Sequence, residues 1–159
     1  MTDRELFRHA VATVAYRAQK ATRDAPTSFA NARPGASSRT PVEILAHMGD
    51  LFDWALSMAK GTPTWNNTTP RAWDEEWTRF FASVQAFDDI LASDADIQYD
   101  LTRLLQGPVA DALTHVGQLA MLRRLHGVPM KSESYNRADV VLGRVGSVQT
   151  PAEPRYEFE

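Results

Sequence analysis

Apolar residues recur at intervals of three and four along four segments of the chain, the spacing that places them on one face of a helix. The first segment follows a capping-box sequence at 2–5 and predicts a helix to about Asp24. The second predicts a helix over about 41–60, because Thr40 and Glu43 have capping-box spacing, a proline suits the first turn and Gly61 follows the last. Both segments therefore carry their own start or stop signals.

The third segment predicts a helix that begins near 69–70 and buries a long apolar stripe. The stripe comprises Trp73, Trp77, Phe80, Phe81, Val84, Phe87 and Leu91. The fourth predicted helix starts at Leu101 or Pro108 and reaches His126, where Gly127 ends it. Four amphipathic helices of this length predict an all-α four-helix bundle, in up-down-down-up order.

The remaining segments lack periodicity. Residues 25–39 are rich in proline, glycine and serine, which is typical of a long surface connection between the first two helices. From about residue 128 the chain predicts an irregular C-terminal tail that wraps the bundle. Because no repeat or linker separates these parts, residues 1–159 are expected to form one domain.

Composition narrows the classes of function. The chain has 159 residues, 17 Lys and Arg against 20 Asp and Glu, a net charge of −3, and no cysteine. The absence of cysteine excludes disulfides and thiolate metal sites, but leaves histidine and carboxylate sites open. With no basic stripe, no signal peptide and no apolar run of about 20 residues, we expect a cytoplasmic protein that binds neither nucleic acid nor membrane.

Polar residues on the inner face of the fourth helix point to a site. At about 100° per residue, Asp111, His115 and Gln118 lie within roughly 60° of one another, on the side that faces the core. An unpaired buried carboxylate costs several kcal/mol, so it is normally paired or bound to a metal. Gln118 is positioned to hold a metal-bound water or the carbonyl of a ligand, and it is equally well placed to pack and hydrogen-bond within the bundle.

The second helix offers a partner for this pair. His47 lies at the inner edge of its apolar stripe, and Asp50, one step further out, is placed to orient the His47 imidazole. His47, Asp111 and His115 can converge as a two-histidine, one-carboxylate set that leaves coordination positions open and suits a divalent transition ion. Alternatively, Asp111 and His115 form a buried ion pair that only fixes the helix register. The spacing of these residues is compatible with both a metal site and an ion pair.

Three segments resemble the DinB-like (YfiT-like) superfamily of metalloenzymes: EILAHMGDLFDW at 43–54, DALTHVGQL at 111–119 and LRRLHG at 122–127. Members are four-helix bundles with one histidine on the second helix and two histidines, four residues apart, on the fourth. His47 matches the first of these positions and His115 the last. Asp111 stands where the family usually has histidine, a change that alters metal preference or abolishes activity.

The resemblance implies a divalent-metal-dependent enzyme, a thiol S-transferase or hydrolase that acts on a small electrophile. Some members transfer low-molecular-weight thiols, and the metal lowers the pKa of the thiol. Zinc, nickel, iron or manganese would suit the donor set, and a low-molecular-weight thiol would be the second cofactor. Homodimers are expected. The alternative function is a non-catalytic dimeric bundle with a degenerate metal site.

Overall fold

The computed structural model describes residues 1–159 and is mostly helical, which confirms the all-α prediction. The helices are α1 (Asp3–Thr22), α2 (Pro41–Ala59), α3 (Trp73–Ala92) and α4, which joins α-helical Leu101–Leu104, π-helical Leu105–Val109 and α-helical Ala110–Leu125. Single 3₁₀ turns occur at Thr27–Phe29, Tyr135–Arg137 and Pro154–Tyr156. The one sheet pairs β1 (Ser132–Glu133) with β2 (Glu157–Phe158) in antiparallel fashion.

Capping decides where the helices begin. Thr2 and Thr40 cap α1 and α2 through the predicted capping boxes. The start of α3 is three to four residues later than predicted, because the Thr68 amide and hydroxyl both donate to Asp50 on α2 and hold the chain extended there. Helix α1 ends at Thr22, two residues before the predicted end, because Arg23 adopts an extended backbone with a ψ of 145° and Asp24 a left-handed one with a φ of 54°.

Contacts of α1 give the direction of two neighbouring helices. Arg8, near the start of α1, pairs with Asp88, near the end of α3, at 2.8 Å. The end of α1 meets the end of α4, where the Arg123 guanidinium donates to the Ala21 carbonyl. Helix α1 is therefore antiparallel to α3 and parallel to α4.

Contacts between α2 and α3 show that these two helices run in the same direction. Arg79, in the first half of α3, donates to the carbonyl of Ala46, in the first half of α2. At the other end, the Gln98 amide, just after α3, donates to the carbonyl of Ala59 at the end of α2. The order is therefore up-down-down-up, as predicted, and α2 also contacts α4.

The core between the helices is apolar, and its centre is aromatic. Phe52 of α2 lies against Phe80 and Phe87 of α3, with ring centroids 5.8 and 6.0 Å apart. The predicted stripe of α3 is buried apart from Trp73 and Trp77 at its first turns, which are half-buried. This core fixes α2 and α4 side by side, and the candidate site lies between them.

None of the helices combines the length and the apolar content needed to cross a membrane.

A π-helical turn interrupts α4 just before the candidate site. Pro108 has no N–H to donate to a carbonyl four residues earlier, so an α-helical register cannot be completed there. Instead the Ala110 amide donates to the carbonyl of Leu105, five residues earlier. Both predicted starting points, Leu101 and Pro108, therefore belong to one helix with a change of register. Such turns often accompany functional sites, and this one precedes Asp111 by two residues.

The C-terminal tail closes on α1 through buried polar groups. Lys20 of α1 donates to Glu133 and to Glu157, both at 2.8 Å, and the Tyr16 hydroxyl donates to Glu133 at 2.8 Å. Glu133 and Glu157 face each other in the β1–β2 pair. The tail is therefore tied to the bundle, although it contains little regular structure.

Candidate metal centre

Two helices bring the three predicted ligands together. His47 lies in the first half of α2, and Asp111 and His115 lie one turn apart near the middle of α4. One ligand atom from each of the three residues lies within 4.8 Å of the others. The helical spacing predicts Asp111 and His115 on the inner face of α4 and His47 at the inner edge of α2. In the structure these three side chains are indeed close together.

The carboxylate of Asp111 lies between the two imidazoles. Its Oδ2 is 3.5 Å from His47 Nε2, and its Oδ1 is 3.5 Å from His115 Nε2. The imidazole rings are 4.8 Å apart at their centroids and nearly perpendicular, at 86°. Ligands held about 2.1 Å from one ion are separated by roughly 3–4 Å, so small side-chain rotations would allow all three to bind a single ion.

Gln118 fixes the orientation of His115. The His115 Nδ1 lies 2.8 Å from Gln118 Oε1, and because an amide oxygen only accepts, Nδ1 carries the proton and donates. The lone pair of the neutral ring is then on Nε2, the nitrogen that faces Asp111. Gln118 is therefore a positioning residue for His115, and a direct contact between Gln118 and a bound ligand remains a prediction.

His47 is in a position that favours the neutral imidazole. Burial lowers its pKa below the ordinary value, and the nearby His115 and Arg39 act in the same direction. Asp111 opposes this shift without outweighing it. A ligand histidine must be neutral at the coordinating nitrogen, so the lowered pKa reduces competition between protons and a metal ion.

Asp111 is more open to solvent than the sequence suggests. Its side chain is 46% exposed, against 20% for His47 and 10% for His115. The prediction of a buried carboxylate is wrong, because the inner face of α4 opens here into a cavity of about 620 Å³. A register-fixing buried ion pair is disfavoured for the same reason.

Asp50 does not orient His47. Its carboxylate accepts from the Thr68 amide at 2.9 Å, from the Thr68 hydroxyl at 2.6 Å and from Arg79 at 3.1 Å. The carboxylate predicted to orient the His47 imidazole is thus engaged by α3 and by the connection that precedes α3. Asp50 still lines a polar cavity beside His47, so its prediction as a ligand-binding residue stays a prediction.

Trp65 is a neighbour of His47 that sequence reasoning missed. Its ring meets the His47 imidazole edge-on, with centroids 5.6 Å apart, and it makes a second edge-on contact with Trp54, also with centroids 5.6 Å apart. Trp65 lies in the irregular stretch before α3, where no periodicity marks it. The Asp50–Thr68 hydrogen bonds hold this stretch against α2, so Asp50 supports the site indirectly.

The connection between α1 and α2 supplies another part of the site. Ser37, Ser38 and Arg39 line the cavity that contains His47, Asp111 and His115. The composition of this stretch predicts a loop, and a loop has no fixed face from which to infer that its residues meet the bundle core.

Comparison of the chain with protein-family models, with curated proteins and with solved structures gives no match.

Proposed function

We propose that this protein is a divalent-metal-dependent enzyme whose ion is held by His47, Asp111 and His115. The observation that carries the proposal is the convergence of two imidazole nitrogens and one carboxylate oxygen within 4.8 Å at the floor of an open cavity. Two histidines and one carboxylate leave coordination positions free, which catalytic metal sites require and structural sites lack.

The donor set suits a borderline divalent ion. Imidazole favours zinc, nickel and iron, and replacing one imidazole by a carboxylate shifts preference toward harder ions such as manganese. The placement of the ligands on the second and fourth helices of an up-down-down-up bundle supports a relationship to the DinB-like superfamily. Asp111 then takes the place of a family histidine as a competent anionic ligand.

The chemistry proposed is activation of a thiol or a water molecule. A bound divalent ion lowers the pKa of such a group and makes it nucleophilic at neutral pH. In the transfer reaction the thiol loses its proton to solvent, its sulfur bonds to the electrophilic carbon, and the leaving group departs with the electron pair of the broken bond. A cavity of about 620 Å³ fits a small molecule.

The second candidate is a non-catalytic bundle that pairs with another copy of the chain. A groove of about 580 Å³ between α1 and α4 has a mostly apolar lining that includes Leu6, Leu101, Leu105 and Leu113. Leu6 and Leu105 are exposed. In this function no metal is bound, and the contacts of the half-exposed Asp111 with His47 and His115 only link α2 to α4.

Metal content separates the two candidates. The wild-type protein, purified and incubated with zinc, nickel or manganese, is expected to retain about one ion per chain after desalting. His115→Ala should lose that ion and keep its helical circular dichroism, since one ligand in an open cavity contributes little to the core. His9→Ala is the matched control, because His9 is exposed on α1. Equal metal content in His115→Ala and the wild type would overturn the site.

Turnover is then tested on the metal-loaded protein. A screen pairs several cellular thiols with a chlorinated aromatic and an epoxide acceptor, and includes ester substrates for hydrolysis. Metal-dependent product formation that is absent in His115→Ala supports the enzyme. Stoichiometric metal with no turnover on any of these substrates would contradict the proposed reactions and leave metal binding, while a metal-free dimer would favour the second candidate.

A further inference from the structure

Two cavities meet at the candidate metal centre. The larger, of about 620 Å³, contains the three ligands, and a second cavity of about 330 Å³ adjoins it. Both are lined by Ser37, Ser38, Arg39 and His47. A molecule held at His47 can therefore extend into either cavity.

The two cavities differ in polarity. Ile44, Met121 and Leu122 line the larger cavity only. The smaller cavity is lined by polar side chains such as Asn67 and Thr68, with Pro70 as its one aliphatic residue. A ligand that fills both must combine an apolar body with a polar or charged end.

Arg39 is the uncompensated charge at the junction. Of the other charged residues around the smaller cavity, Arg33 pairs with Glu43 at 3.1 Å and Asp50 pairs with Arg79 at 3.1 Å. Arg39 forms no hydrogen bond or ion pair with the rest of the chain, although it borders both cavities. Its guanidinium is free to bind an anionic group beside the metal centre.

Charge at the centre favours an anion over a cation. A divalent ion of +2, with Asp111 at −1 and Arg39 at +1, gives a local sum of +2 when the histidines are neutral. A guanidinium binds a carboxylate through two parallel hydrogen bonds. The start of α2 offers no phosphate site, because the Thr40 and Glu43 amides are engaged in their capping box.

We infer that the substrate, or the thiol that reacts with it, is a small carboxylic acid with an apolar body. Its carboxylate pairs with Arg39, its apolar part lies against Met121 and Leu122, and its reactive group reaches the metal centre between them. This inference rests on the proposed function, because it takes the site to be one that turns over small molecules.

The test compares an acid with its uncharged isostere. 4-Phenylbutyrate and 4-phenylbutyramide are titrated calorimetrically into zinc-incubated and EDTA-treated protein, for the wild type, Arg39→Gln and Arg103→Gln. Arg103 is an exposed arginine outside both cavities, so Arg103→Gln controls for the loss of one positive charge. Zinc content is measured separately by elemental analysis of each sample.

The wild type is expected to bind the acid at least tenfold more tightly than the amide. Arg39→Gln should lose this preference while Arg103→Gln keeps it, and amide binding should change less than twofold. Equal acid binding in Arg39→Gln and the wild type, or no preference for the acid in the wild type, would overturn the inference. If the chain takes up no zinc, the proposed function fails, and Arg39-dependent binding in the EDTA-treated protein decides this inference on its own.

Discussion

At the scale of single residues, the three candidate ligands are held to different degrees. His115 is oriented by Gln118, and His47 lies against the edge of Trp65. Asp111 is half-exposed, and its carboxylate lies 3.5 Å from a nitrogen of each imidazole. The carboxylate is therefore the member that can move to accommodate an ion, while the histidines provide a preformed pair of nitrogens.

Replacing Gln118 tests this division of roles. In Gln118→Leu the His115 Nδ1–H loses its acceptor, so the ring is free to change tautomer or rotate. We expect zinc affinity to fall about 10- to 100-fold, the usual effect of removing such a partner, with little change in melting temperature. Competition with a chromophoric chelator measures the affinity. Gln85→Leu, on α3, is the matched control, and equal losses in the two variants would contradict a positioning role.

Replacing glycine by alanine is expected to have opposite effects on stability at two helical positions. A Cβ on Gly49 would lie 2.8 Å from the Arg79 guanidinium carbon, whereas a Cβ on Gly117 meets nothing within 4 Å. Alanine favours a helix over glycine by about 1 kcal/mol. Gly117→Ala should therefore stabilise the protein by up to about 1 kcal/mol, and Gly49→Ala should destabilise it by displacing Arg79. Urea denaturation gives both values, and stabilisation by both would show that Arg79 moves freely.

At the scale of elements, Arg79 joins α2 to α3. It donates to Glu76 at 2.8 Å, to Asp50 and Asp53 at 3.1 Å, and to the Ala46 carbonyl at 2.6 Å. Glu76 is fully buried. Asp50 and Glu76 in turn accept from the Thr68 and Arg71 amides, so the same carboxylates tie the connection that carries Trp65 to the two helices.

Removing this arginine should be among the most damaging single changes. Arg79→Met leaves the buried Asp50 carboxylate without its cation and leaves buried Glu76 with only the more exposed Arg71, at 3.4 Å. Losing the cation of a buried carboxylate typically costs about 3–5 kcal/mol. Chemical denaturation followed by circular dichroism gives the change in unfolding free energy. Arg155→Met breaks only the exposed pair with Glu153 and the contact of the guanidinium with the Tyr156 ring, so it should change the unfolding free energy by about 1 kcal/mol or less. Comparable losses in the two variants would contradict a central role for Arg79.

The sequence predicts those elements whose signals are local. Apolar periodicity and capping boxes predict the ends of the four helices to within a few residues. The helical spacing of the polar residues predicts that His47, Asp111 and His115 lie together. The start of α3 is mispredicted because a distant residue, Asp50, binds Thr68. Trp65 and Arg39 are missed for a related reason: both lie in loops, whose positions are set by tertiary contacts that no period in the sequence records.

At the scale of the whole molecule, the tail stabilises the bundle through one buried lysine. Burial alone would lower the pKa of Lys20, but its hydrogen bonds to Glu133 and Glu157 outweigh burial and raise it. The same hydrogen bond to Lys20 lowers the pKa of Glu157. The ends of the chain are thereby coupled, since α1 and the last residues share these contacts.

This coupling predicts how stability depends on pH. Because the pKa of Glu157 is lower in the folded than in the unfolded chain, its contribution is complete above its ordinary value of about 4.3 and is lost as pH falls through the folded value. The wild type should therefore exceed Glu157→Gln in unfolding free energy at pH 7, and the difference should narrow between about pH 4.5 and 3. Urea denaturation across this range checks it, and a constant difference would exclude the linkage.

The position of a bound metal is the most direct test of whether His47, Asp111 and His115 hold one ion. Crystals grown with zinc, with data collected on both sides of the zinc absorption edge, locate the ion by its anomalous scattering. We expect one strong peak per chain, about 2.0–2.2 Å from His47 Nε2, His115 Nε2 and a carboxylate oxygen of Asp111. A peak bound elsewhere, or no peak at this site in zinc-saturated crystals, would contradict it.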